Sequence, residues 1–565
     1  MARVRRHHAD VRRQALRHSA RVAIATGRVR APELRGAGGW INTAEPLTLQ
    51  QLRGRAVVLD FWTFCCINCL RVVEELRELE HRFGAALVVI GVHSPKFPHE
   101  SDHAAVERAV RRHRIEHPVL DDPEMQTWQR YGVRAWPTLV LIDPEGYVAA
   151  VAPGEGNGPA LGDLIERLLA GRDAPTAPAF LAATGPPDAA LAYPGKVASD
   201  GSRRVAVADT GHDRVLVCDL DGAVQREFAG FHQPHGVRFD AGRLLVCDTV
   251  AGDLVEVDLD SGERRVLATG MRSPWDVVVC PDGSLLVAEA GLHRLLSVPA
   301  RGGEFTVVAG TRAEGLRDGP ALQAHLAQPS GLSVMPDGAI AFADSEVSAL
   351  RMLRDGAVET LVGQGLFDWG AVDGDRETGR LQHPLGVAAV ASGGIAVADT
   401  FNSALRIWRD GSLRTVALDD PLDEPGGIDI LPDGRALVAD TNHHRVVAVD
   451  LAAGAVTPIP VAERAASLAG SAGSSLRLEA TVELDGEMLD VSQGPPVHVN
   501  VSVDPESLLG AGARSWALDS LPAAVDVTLG RPGQGTLTLD LIASTCHDDV
   551  CTIKRTTRRH SLRVS

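Results

Sequence analysis

The sequence predicts a chain of three folded parts: an α/β domain, a six-bladed β-propeller and a β-sandwich. Apolar strand and amphipathic helix patterns alternate between residues 36 and 172. A repeat of roughly 40 residues then runs from 191 to 462, and period-two alternation fills 463 to 565. The length of 565 residues agrees, because a single hydrophobic core stops growing near about 300 residues. Apolar residues at 45% and charged residues at 23% are ordinary for a globular chain. The net charge of −17 argues against nucleic acid as a partner, and no apolar run is long enough to predict a membrane span.

Residues 1–35 read as a basic, disordered extension, with nine arginines among the first thirty residues. It lacks the apolar core of a secretory signal, so the expected compartment is the reducing cytoplasm. In the α/β domain, 56–61 (AVVLDF), 86–92 (ALVVIGV) and 138–143 (TLVLID) read as strands. Residues 70–83, 102–114 and 159–170 read as helices. A linker over 173–190, rich in Pro, Ala and Gly, follows.

The repeat opens on a proline at 194, 234, 274, 329, 384 and 425, usually with Gly two residues later. About fifteen residues on, an acid closes a short strand: Asp209, Asp248, Glu289, Asp344, Asp399 and Asp440. Two units carry insertions, at 310–328 and 363–383. Four short strands per unit, six times over, is a propeller, whose closed ring leaves no long exposed edge. An Arg follows several of the acids, as in Asp209/Arg214, Glu289/Arg294 and Asp440/Arg445, with a structural role expected: acids on turn N–H groups, arginines bridging blades. His235, His383 and His443 lie near turns but in different blades, so a binding platform for a protein or ligand is preferred to a catalytic centre. The last part, with VHVNVSV and TLTLDLIAST, reads as a sandwich of immunoglobulin-like size.

Eight cysteines are too few for a disulfide scaffold, and they fall in three groups. Cys218, Cys247 and Cys280 lie in propeller strands and read as small buried hydrophobes. Cys65, Cys66 and Cys69 follow strand 56–61 and precede helix 70–83. Cys66 therefore falls near a helix N-terminus, where free N–H groups lower a thiol pKa, and Cys69 sits a turn on, placed to resolve a mixed disulfide. Asp60 is placed to move a proton near Cys69. Pro137, after Trp136, is a candidate cis proline presenting a backbone edge to substrate. Cys65 is either a third redox partner or an apolar filler. His93 reads either as an aid to substrate binding and proton transfer or, preferably, as a solvated turn residue. No metal or other cofactor is expected, because the triplet lacks a second ligand cluster.

These features resemble the thioredoxin family over 36–172. FWTFCCINC matches its active-site pattern, which implies Cys66 as nucleophile, Cys69 as resolving thiol, Asp60 as the buried acid and Pro137 as the cis proline. Ile67-Asn68 replace the family's Gly-Pro, and Cys65 stands where an aromatic is usual. The propeller units resemble the NHL repeat. Residues 465–565 partly resemble the amino-terminal domain of DsbD-type reductases, which implies that Cys546 and Cys551 form a second redox pair. A stabilising disulfide or two free thiols are the alternatives. As a whole, GGWINT, CCINC, GVHSPKF and the six units resemble the NHL-repeat-containing protein 2 family. The implied function is a thiol–disulfide oxidoreductase acting on a protein disulfide or oxidised thiol, its propeller recruiting the partner. The rival is a non-catalytic scaffold.

Overall fold

The computed structural model describes residues 22–24, 27–172 and 189–461. Beyond them it describes 468–470, 473–480, 488–489, 495–504, 506–510, 512, 514–520, 523–547 and 550–564. Most of the basic extension and of the 173–190 linker therefore lies outside the described residues. The chain divides into two compact units: the first holds the α/β domain and the propeller, the second is essentially 462–565.

The α/β domain runs β1 (Ala23–Ile24), β2 (Gly39–Ile41), β3 (Ala56–Trp62), α1 (Ile67–Phe83), β4 (Leu87–His93), α2 (His103–Arg112), β5 (Val119–Asp121), α3 (Gln126–Arg130), β6 (Thr138–Ile142), β7 (Val148–Pro153) and α4 (Gly158–Leu169). Its sheet has the order β1-β7-β6-β3-β4-β5-β2. β3 and β4 are parallel, whereas β6 joins β3 antiparallel. Every side chain of β3 and β4 is buried, which is why both strands are continuous apolar runs. Residues 22–24 and 27–31 differ from the expected free arm, since β1 pairs with β7 and Arg30 bridges Tyr147. The unpaired edge of β7 supplies the hydrogen-bond partners that hold this segment. α1 begins at Ile67 rather than 70, because Cys66 caps it.

The propeller has six sheets: blade 1 at 197–229, blade 2 at 234–268, blade 3 at 274–309, blade 4 at 319–362, blade 5 at 374–415 and blade 6 at 425–459. The two insertions each add a short strand, so blades 4 and 5 are five-stranded. The glycine two residues after most openers is explained by close approach of the next blade. A Cβ on Gly236 would lie 2.7 Å from Asp276 Cα, and one on Gly427 would lie 2.6 Å from Lys196 Cα.

Each acid accepts the N–H two residues before its own opener, for example Ala192 N on Asp209 at 2.6 Å and Gln382 N on Asp399 at 2.7 Å. The arginines correct the expectation. Asp209 and Arg214, Glu289 and Arg294, and Asp440 and Arg445 are directly opposed across one hairpin, so each pair closes its own blade rather than bridging two. The bridge between blades is the hydroxyl after the acid. Thr210 donates to Pro234 O at 2.6 Å, Thr249 to Pro274 O at 2.8 Å, Ser345 to Pro384 O at 2.7 Å and Thr400 to Pro425 O at 2.8 Å. Thr441 donates to Pro194 O at 2.8 Å, which closes the ring. Blade 3 has Ala290 at that position and makes no such bond.

In the second unit, sheets containing 497–504, 533–547 and 550–564 on one side and 475–480 with 523–528 on the other share one apolar core. The hairpin register places Cys546 opposite Cys551. Their side chains lie outside the described residues. Cys218 and Cys247 are buried, Cys280 is half-buried, and all three are free thiols.

Candidate functional site

The turn after β3 delivers the three cysteines to the start of α1. Cys66 is the N-cap residue, its Sγ accepting the Cys69 N–H at 3.2 Å. Cys65 and Cys66 are each 5% exposed and Cys69 is fully buried. The three thiols share an apolar cluster with Trp62, Phe64 and Phe401, and Trp136 packs against it. The helix start does not lower the Cys66 pKa as expected. Burial pushes the thiol up, and the hydrogen bond from Cys69 offsets only part of that. Burial raises Cys69 further, with the adjoining Cys66 and Asp60 adding to it.

Asp60 lies in the middle of β3, paired with Gly91 and Leu139, and neither carboxyl oxygen has a hydrogen-bond partner. Burial, then the charge of Glu75, pushes its pKa up to about 8. The Trp136–Pro137 peptide is cis and leads into β6, and Trp136 Nε1 donates to Ser94 O at 2.9 Å. His93 is not a solvated turn residue. It ends β4 fully buried, stacked on Phe64 at 5.5 Å, edge-on to Trp62 at 5.1 Å, and 3.7 Å from Asp121. β4 continues two residues past the glycine at 91 and carries His93 under the cysteine turn, which the GVHSPKF stretch read as a loop concealed.

The cysteine end of the domain faces the blade ends of the propeller. The residue before each opener proline has a left-handed φ: Tyr193 48°, Gln233 48°, Ser273 52°, Gln328 62°, His383 47° and Glu424 48°. The α/β domain sits on these positions. Ile67 N donates to Gln328 Oε1 at 3.1 Å, Phe97 packs on His383 at 5.5 Å, and Arg112 reaches Glu424 at 2.7 Å. Ile67 also packs on Trp275 and Ala290, the residue that replaces the bridging hydroxyl in blade 3.

Four polar residues at the site escaped the sequence reading. Buried Glu100 accepts Cys65 N at 2.8 Å and Thr63 Oγ1 at 2.5 Å on one oxygen, and Lys96 N at 2.9 Å and Phe97 N at 3.0 Å on the other. It thereby ties the cysteine turn to the loop after β4. Lys96 Nζ reaches Glu346 Oε1 of blade 4 at 2.6 Å, and the Cys65 thiol lies 3.9 Å from that oxygen. Burial, with Glu314 nearby, pushes Glu346 up to about 7 despite Lys96. Gln328 is the fourth. The acid three residues before α2 and the Lys-Phe-Pro run were the only signals, and neither points to a partner 250 residues away.

Between the cysteine turn and the blade ends lies a chamber lined by Cys65, Phe64, His235, His383, Thr400 and Glu424 among others. A second cavity shares Ile67, His113 and Trp275 with it and extends to Val250 and Arg71. His235 and His383 are held neutral: burial pushes each down to about 3. His443 instead bonds Asp440 at 2.8 Å. Among the described residues no group of three or more His, Cys, Asp or Glu side chains is arranged to hold a metal ion, and no helix is long and apolar enough to cross a membrane.

The thioredoxin-like family model matches residues 54–148, and the NHL repeat model matches 422–448. The chain is 32% identical to NHL repeat-containing protein 2 of Gallus gallus, over 76% of this chain and 71% of that one. It is 33% identical to the Arabidopsis thaliana protein SUPPRESSOR OF QUENCHING 1, chloroplastic, over 74% of this chain and 46% of the relative. Its α/β domain is also similar to the thiol-disulfide oxidoreductase ResA of Halalkalibacterium halodurans, 26% identical over 20% of this chain and 60% of the relative. A thioredoxin-like domain on a six-bladed propeller, matched along most of both chains, places this chain in the NHL repeat-containing protein 2 family.

Proposed function

We propose that the protein is a thiol–disulfide oxidoreductase of the cytoplasm whose propeller positions a protein partner or substrate at the cysteine turn. Cys66 attacks the substrate disulfide, Cys69 resolves the mixed disulfide, Asp60 carries the proton for Cys69, and the edge at Pro137 aligns the substrate backbone. The reading rests on one observation: Cys66 caps α1 while Cys69 follows one turn later, above an unpartnered acid poised near neutrality. The likeness of this domain to a relative named as a thiol-disulfide oxidoreductase supports it.

Burial of all three thiols beneath the propeller favours a second reading, in which the domain is a packing module and the propeller a protein-interaction platform. The two are separated by reduction of a model protein disulfide with the full chain. The redox reading expects catalytic turnover, none in Cys66→Ser, and a stoichiometric mixed disulfide on Cys66 in Cys69→Ser. Absence of that adduct in a folded Cys69→Ser protein leaves the packing module.

A further inference from the structure

We propose that Glu346, carried by the propeller, is the proton acceptor that makes Cys65 a second, chamber-facing nucleophile for small-molecule disulfides. Cys65 lines the chamber, whereas Cys66 and Cys69 do not. Its Sγ lies 3.9 Å from Glu346 Oε1, the oxygen that also receives Lys96 at 2.6 Å. Glu100 sets this geometry by holding both the Cys65 and the Lys96 N–H groups, at 2.8 and 2.9 Å. Burial, then the charges of Glu100 and Glu346, push the Cys65 thiol well above its usual pKa, so it reacts only with a proton acceptor in contact.

A second observation points to a ligand. His383 lines the same chamber at 5% exposure, and its Nδ1 has no hydrogen-bond partner. Glu346 Oε2, 3.7 Å away, has none either. An unpaired polar atom is costly to bury, and a polar ligand arm reaching His383 in the chamber would offset that cost. The enclosure fits a small disulfide with polar arms better than a folded protein.

The groups facing Glu346 are Lys96, Glu100 and Cys65 from the α/β domain, His383 from blade 5 and Glu314 from the blade 4 insertion. Lys96 is the one cation among three carboxylates, so Glu346 exchanges its proton near neutrality. The step balances within the pair. Glu346 takes the Cys65 proton, and the thiolate attacks one sulfur of R–S–S–R to form Cys65–S–S–R. The departing R–S⁻ takes the proton back from Glu346, giving R–SH. One disulfide is exchanged and no further oxidant is used.

The reaction needs neither Cys66 nor Cys69, so it is tested in the full-length C66S/C69S protein, where failure of the preceding proposal has no bearing. The probe is bis(2-hydroxyethyl) disulfide, with adducts counted by intact mass. The expected result is one adduct, absent when C65S is added, with a rate that rises with pH through the neutral range. E346Q is expected to slow it about a hundredfold at pH 7.5, the size of a general-base contribution, and to abolish the neutral rise. Should E346Q fail to fold, E346D is expected to keep the neutral rise at a reduced rate. The proposal is overturned if the folded protein forms no adduct on Cys65. It is equally overturned if E346Q keeps the parent's rate and profile, or if E346D loses the neutral rise.

Discussion

Two edges of the docking face each bury a glutamate of the propeller, and they treat it in opposite ways. Toward blades 6 and 1, Glu424 receives Arg112 at 2.7 Å and His99 at 2.8 Å, while Arg114 pairs with Asp213 at 2.7 Å. Burial alone would raise Glu424, but Arg112 and His99 hold its carboxyl far below the usual range. Toward blade 4, Glu346 has the single cation Lys96, shared among neighbouring carboxylates, and is pushed up to about 7. Asp60, beneath the cysteines, has no donor at all and stands at about 8. Donors per carboxylate, rather than depth, rank the three. The blade 6 edge is an anchor, and the cysteine edge keeps groups that exchange protons.

The largest test of that contrast is Arg112→Met. It leaves Glu424 buried with only His99 as a charged partner, at a cost of about 3–5 kcal/mol. Because folding depresses the Glu424 pKa, its stabilisation is complete above the unfolded value of about 4.3 and is lost as pH falls through the folded one. Urea unfolding is therefore expected to separate wild type and R112M widely at pH 7 and less as pH drops below about 4. An equal gap at both pH values would remove Glu424 from the anchor.

Asp60 tests the opposite end. Its pKa is raised in the folded state, so folding is penalised increasingly as pH rises from about 4 through 8. Asp60→Asn removes that penalty. The variant is expected to gain on the order of a few kcal/mol over wild type at pH 9, at about 1.4 kcal/mol per pH unit, and little at pH 5. A pH-independent difference would mean that Asp60 has a donor it is not credited with.

Much of this scaffold was written in the sequence, because the constraints that made it are local. A Cβ at Gly236 or Gly427 strikes the neighbouring blade, and an acid such as Asp209 must sit where it meets the N–H ahead of its own proline. Such needs recur from blade to blade, so they print a pattern. The docking ring obeys no such rule. Its positions hold Tyr193, Gln233, Ser273, Gln328, His383 and Glu424, six residues of five types chosen by what the α/β domain presents above each. The αL backbone they share would have predicted Gly or Asn, and propensity lost to the contact. His93 was misjudged for a related reason: a histidine after two glycine- and valine-rich positions looks like a turn unless the strand is known to run on beneath Phe64. The helix-terminus argument for Cys66 was sound locally, but the propeller lid that dehydrates the thiol was invisible to it.

The smallest effect is expected at Gln328, which contributes one neutral bond to the cysteine edge. Its Oε1 accepts the N–H of Ile67, the first residue of α1, a group that no partner within the helix satisfies. Gln328→Ala removes about 1 kcal/mol, too little to release an interface anchored at Glu424. Thermal unfolding should therefore barely move, while amide exchange at Ile67 quickens and exchange across α2 stays as in wild type. Were α2 to quicken as well, the two edges would be one cooperative surface, and the distinction between anchor and reactive edge would fail. With α2 unchanged, the start of α1 can loosen over the chamber while the far edge stays closed, which is what thiols buried in the docked state need in order to meet a substrate.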